Sequence, residues 1–203
     1  MTENTAKNIS VYAEASPNPE SMKFVLNQTV LQDGVSVDYP NVEAAANSPF
    51  AQELFNFDYV SRIFMASNFV TITKNSNDTW PQLIPELRTF IKSYMEAGGP
   101  VFLQTPTAEK KAESGASENL SEGDAAISQK VIDLLENYVR PAVEQDGGNI
   151  SFKSYKDGIV TVNLQGSCSG CPSATITLKS GIENLLKRMV PEVTEVKAEG
   201  LTV

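Results

Sequence analysis

The chain has 203 residues, 41% of them apolar, and a formal net charge of −9, an ordinary globular composition rather than a disordered one. It holds two cysteines and no histidine, so one copy can build neither a Ser-His-Asp or Cys-His catalytic arrangement nor a mixed Cys/His zinc site. The acidic balance argues against nucleic acid as a partner, since phosphate contacts need clustered Lys and Arg.

No apolar run nears the ~20 residues of a membrane span, so no membrane partner is expected. The opening MTENTAKNIS shows neither the apolar stretch of a signal peptide nor the Arg-rich pattern of a transit peptide. The expected location is cytoplasmic.

In chain order, the pattern predicts strands over residues 9–13 and 22–27, around the turn-forming Ser16-Pro17-Asn18-Pro19. Ser48 followed by Pro49 signals a helix start, running to about Phe55. Two further strands, 61–66 and 69–73, flank a turn at Ser67-Asn68. Thr79 and Gln82 have capping-box spacing. The helix they open carries Leu83, Leu87, Phe90, Ile91 and Tyr94 on one face, with Pro85 as an alternative start or a bend and Gly98-Gly99 as the stop.

Residues 105–126 contain one large apolar residue, Leu120, among Ser, Gly, Ala, Glu and Lys, and are expected to be a flexible linker spanning roughly 25 Å on average. After it, Ile127, Val131, Leu134, Leu135 and Val139 mark a helix that Pro141 is expected to end. Asp146-Gly147-Gly148 reads as a turn, and residues 149–155 and 159–164 as a hairpin around Lys156-Asp157-Gly158. A helix then carries Ile176, Leu178, Ile182, Leu185, Leu186 and Met189, followed by a last strand over 193–198. The expected architecture is α+β: two small domains, 1–104 and 127–203, joined by the linker 105–126, the second with α-β-β-α-β order. Residues 1–104 carry 6 basic and 11 acidic side chains, residues 105–126 carry 2 and 5, and residues 127–203 carry 8 and 9. The cysteine-bearing domain is therefore the nearly neutral one.

Both cysteines lie in Gly166-Ser-Cys168-Ser-Gly-Cys171-Pro172, between the second strand of the hairpin and the following helix. Pro172 suits a first helical position, which puts Cys171 at or beside the N-cap, where unpaired N–H groups and the positive end of the macrodipole favour a thiolate. Gly166 and Gly170 allow a tight turn and close approach to a bulky ligand. A thioredoxin-like redox pair is the reading that the bare spacing suggests, yet this motif follows a hairpin rather than sitting in a βαβ pattern. A disulfide across two residues constrains little chain and suits an oxidising compartment. Two inert core cysteines fit poorly among glycines and polar residues. Metal remains. Two thiolates per chain make four per pair of chains, and both zinc and iron–sulfur clusters accept four.

Several residues have bland readings beside the sharp ones. Asp146-Gly147-Gly148 could orient the cysteine loop, although a turn before a strand accounts for it. Lys187 and Arg188 could dock an acidic partner, or complement the helix C-terminus. Trp80 reads as packed core rather than an anchor, and Asn18 as part of a rigid turn.

Residues 127–198 resemble the C-terminal domain of the NifU-like (Nfu) iron–sulfur proteins. The matching segments are Arg140-Pro141 with Asp146-Gly147-Gly148, the run Gly166 to Lys179, Ile182-Glu183, and Val190-Pro191-Glu192-Val193. Residues 9–100 resemble the N-terminal domain often fused to it, through Pro17-Asn18-Pro19, Lys23-Phe24, Ser48-Pro49, Leu54-Phe55 and the run Asn68 to Lys74. The resemblance implies a carrier, not an enzyme, that holds a [4Fe–4S] cluster between two C-terminal domains through Cys168 and Cys171. It also implies an upstream donor, apo-protein clients and a homodimer when loaded. The full nitrogen-fixation scaffold begins with a different, cysteine-bearing domain, so carriage is expected rather than assembly. A thiol–disulfide oxidoreductase and a zinc-stabilised dimer are the alternatives.

Overall fold

The computed structural model describes residues 8–106, 122–168 and 172–199, and the chain divides between Thr107 and Ala108 into two units. Each is an α+β domain, as the element pattern predicts. Among the described residues no helix is long and apolar enough to cross a membrane.

In the first unit, β1 (Val11–Ala15), β2 (Ser21–Leu26), β3 (Ser36–Tyr39), β4 (Val60–Ala66) and β5 (Phe69–Lys74) form one sheet in the order β1-β2-β5-β4-β3. All its pairings are antiparallel. The β1–β2 turn is held by Asn18, whose Oδ1 accepts from Glu20 N–H at 3.0 Å and whose carbonyl accepts from Ser21 N–H at 3.0 Å. Helix α1 (Pro49–Leu54) starts where Ser48-Pro49 predicts. Ser48 Oγ caps Ala51 N–H at 3.2 Å and donates to Val101 O at 2.7 Å, tying the end of the unit to the helix start.

Helix α2 (Trp80–Glu96) runs unbroken through Pro85. Pro85 is the sixth helical residue, so it denies the Pro81 carbonyl its i+4 donor, and the buried face of the helix holds it straight past that gap. Its buried residues Leu83, Leu87, Ile91 and Met95 recur every fourth position and join Phe24, Ile63 and Ile72 in one core. Trp80 is half-buried against that core and donates its indole N–H to Pro19 O at 2.8 Å, so it packs rather than projects. Strand β3 had no counterpart in the sequence pattern. It is four residues long and lies at the sheet edge; Val35-Ser36-Val37-Asp38-Tyr39 does alternate apolar and polar residues, a strand signal that its shortness hid.

In the second unit, α3 (Glu122–Leu134) opens before the apolar stripe does, so residues 122–126 of the expected linker are helical. The linker expectation for residues 107–121 lies outside the described residues. Pro141 does not end the helix. A π-turn over Leu135–Val139 comes first, and α4 (Arg140–Gln145) restarts with Pro141 in its first turn, where no N–H is required. The widened turn absorbs the break.

Strands β6 (Gly148–Lys156) and β7 (Ile159–Gly166) then form the predicted hairpin, α5 (Pro172–Met189) crosses over, and β8 (Glu195–Glu199) pairs parallel to β7. Val131, Leu135, Val139 and Val143 from the helical run meet Ile150, Val160, Val162 and Leu164 of the hairpin and Ile182, Leu186 and Val190 near α5's end. Met189, by contrast, is 53% exposed.

Glu183 links α5 to β8. Its carboxylate accepts from Lys187 Nζ at 2.6 Å and from Val196 N–H at 3.1 Å. Lys187 is therefore an intrahelical ion-pair partner. The Lys187 bond, then the Val196 bond, holds the Glu183 carboxyl below its ordinary pKa. A depressed carboxylate contributes stability above its unfolded value of about 4.3 and loses it as pH falls through the folded value. In thermal melts across that acid limb, Glu183→Gln is expected to flatten the loss of stability of the second unit. Identical slopes for both proteins would contradict the assignment.

Candidate metal centre

Strand β7 ends at Gly166 and α5 begins at Pro172, so the two cysteines fall in the strand-to-helix connection. Pro172 is the first helical residue, as its fixed φ and lack of an N–H favour. Cys168 is among the described residues. Cys171, one position before the helix, lies outside them, as do residues 169 and 170.

Cys168 is 7% exposed and belongs to the apolar core of the second unit. Its sulfur rests on the backbone of Gly148, the first residue of β6. A Cβ placed on Gly148 would stand 2.9 Å from Cys168 Sγ, 3.4 Å from its Cβ and 2.7 Å from the carbonyl oxygen of Gln165. Gly148 pairs with Gly166 in the β6–β7 register, so the hairpin itself brings the cysteine over the glycine. A one-residue slip would put every β7 side chain on the wrong face.

Ser167 locks the same corner. Its N–H donates to Gly147 O at 3.2 Å, its hydroxyl donates to Asp146 O at 2.7 Å, and that hydroxyl lies 3.9 Å from Cys168 Sγ. Asp146-Gly147-Gly148 does form the expected turn: Gly147 has φ +85° and donates to Glu144 O at 3.0 Å. It also grips the cysteine loop, which the simple turn reading left out. The signal was the second glycine. Gly147 alone satisfies the turn, and Gly148 has no role until the thiol is placed.

The 18-residue α5 directs the positive end of its macrodipole toward the cysteine connection. Lys187 and Arg188 occupy its last turn, roughly 25 Å away by helical rise, so they do not neutralise charge at the cysteines. Among the described residues no three of His, Cys, Asp and Glu gather to hold a metal. The corner thus offers a buried sulfur set against backbone, with a helix start beside it.

The family model described as "NifU-like domain" matches residues 131–197, and "Scaffold protein Nfu/NifU N terminal" matches residues 11–98. "NifU-like protein 4, mitochondrial" and "NifU-like protein 5, mitochondrial" of Arabidopsis thaliana are 39% and 38% identical over 191 residues, 93% of this chain. "NFU1 iron-sulfur cluster scaffold homolog, mitochondrial" of Drosophila willistoni is 37% identical over 187 residues, 92% of this chain. The chain spans 65%, 67% and 62% of these three relatives' own lengths.

Proposed function

The chain belongs to the Nfu/NifU family, and from that premise we propose that it is an iron–sulfur cluster carrier rather than an enzyme. Cys168 and Cys171 of two copies supply four thiolates to one [4Fe–4S] cluster, and the loaded homodimer passes it from an upstream donor to apo-proteins. The observation that carries this reading is the seating of Cys168 on Gly148, braced by Ser167, beside the start of α5. A sulfur held by backbone contacts is oriented before any ligand arrives.

Four soft thiolates suit iron–sulfur clusters and zinc alike, and the likeness to the Drosophila iron-sulfur cluster scaffold homolog favours the cluster. The second domain, residues 127–203, holds the cluster, and the first, residues 1–104, recognises clients. Carriage needs a compartment that keeps thiols reduced, which the cytoplasm provides.

Anaerobic reconstitution with iron and sulfide, followed by iron, sulfide and zinc analysis, tests the reading. The expected product contains iron and acid-labile sulfide in equal amounts, with zinc absent, and does not accelerate insulin disulfide reduction. Zinc retained in place of iron, or thioredoxin-like reduction rates, would overturn it.

A further inference from the structure

We infer that the outer edge of β1 is a docking site for an extended acidic segment of a client protein, captured as an added strand beside Arg88 and Lys92. The inference rests on the carrier reading for what the client is, and on the first unit alone for the site. Strand β1 lies at the edge of the five-stranded sheet. A cavity of about 420 Å³ opens at its start, lined by residues 8–10, by Val11 and Tyr12 of the strand and by Pro85, Arg88, Thr89 and Lys92 of α2.

The backbone direction is readable from the hydrogen bonds. Ser10 O accepts from Asn27 N–H, on the β2 side. Polar groups of successive residues in a strand alternate sides, so those of Val11 and Ala13 face the open edge. Arg88 Nε indeed donates to Val11 O from that edge, at 3.1 Å. Among the described residues no strand pairs with this side of β1, and such an edge is a template for another strand once Arg88 turns from Val11 O to the incoming carboxylate. Tyr12, 61% exposed, adds a large half-apolar surface at the same place.

Charge selects the occupant. The first 104 residues are net acidic, with 11 acidic side chains against 6 basic. Lys23 is paired with Glu14, Arg62 with Asp38 and Lys74 with Glu20. Lys92 has Glu96 at 3.7 Å, with both side chains well exposed, an arrangement that screens it weakly. Among the described residues of this unit, Arg88 is the cation with no carboxylate partner, and the cavity lining contains no Asp or Glu. An acidic strand is attracted here and repelled by the acidic remainder, so charge gives both placement and selectivity. The five residues of β1 set the length of the captured segment at about five residues.

The test uses the full-length apo-protein and a fluorescent ten-residue peptide alternating Glu with Val or Thr, alongside its Lys-for-Glu counterpart. The acidic peptide is expected to bind at least tenfold tighter than the basic one and to slow hydrogen exchange at the Val11 and Ala13 amides. The double variant R88E/K92E is expected to weaken binding at least tenfold. Ala13→Pro, which removes an edge-facing N–H that β2 does not use, is expected to do the same. Lys156→Glu in the other unit should leave binding unchanged. Equal affinity for the two peptides, or full affinity in R88E/K92E, would overturn the site. Cluster loading of the same variants is measured in parallel: intact loading with lost selectivity sinks the docking site alone, and lost loading in the unmutated protein sinks the carrier reading instead.

Discussion

Cys168→Ser and Cys171→Ser, each reconstituted anaerobically, are expected to hold no stable cluster. In a symmetric pair each substitution removes two of four ligands, and a serine hydroxyl is neither soft nor ionised near neutral pH. The expected iron content falls at least tenfold, with loss of the visible absorption of the loaded protein. Cys168 also sits in the core, 7% exposed, so Cys168→Ser replaces a small hydrophobe by a hydroxyl. Cys168→Ala keeps that site apolar and separates ligation from folding. It should lose iron just as completely while unfolding close to the wild type. Iron retained in either serine variant would remove that cysteine from the ligand set.

Gly148→Ala is expected to have the next largest effect, although glycine 148 is no ligand. The added methyl would stand 2.7 Å from a backbone oxygen and 2.9 Å from the Cys168 sulfur, and the former has little freedom to retreat. Strain of this kind costs about 1–3 kcal/mol, and its relief moves the thiol. Gly147→Ala makes the discriminating comparison. Its φ of +85° penalises a side chain by about 1–2 kcal/mol through the backbone conformation itself. At similar stability, the Gly148 variant should lose its cluster much faster, as followed by the decay of visible absorption under chelator. Equal decay rates for the two would mean that the glycine pair serves only the turn.

Much of the second unit was legible because its signals are local. Pro172 starts α5 through its own ring, Lys156-Asp157-Gly158 turns the hairpin through its own backbone, and the stripe Val131, Leu135, Val139 needs only helical spacing. The position of the cysteines, between β7 and α5, followed from those elements. What was illegible depends on distant partners. Gly148 and Cys168 are twenty residues apart and meet only once the β6–β7 register is set. Lys187 reads as a helix-end charge until the backbone of β8 brings Val196 to Glu183 and fixes the pair. Pro141 was misread for a different reason. The rule that proline stops a helix assumes an α-helical hydrogen-bond ladder, and the π-turn at Leu135–Val139 changes that ladder just before it.

The most direct measurement of the shared site is the absolute mass of the anaerobically loaded protein, by light scattering on size exclusion, together with iron per chain. Ligand counting predicts a dimer with about two iron atoms per chain, half of a four-iron cluster, and a return to the apo mass when chelator strips the iron. A fully loaded species of monomer mass, with about four iron atoms per chain and no added thiol to complete the ligand set, would contradict it.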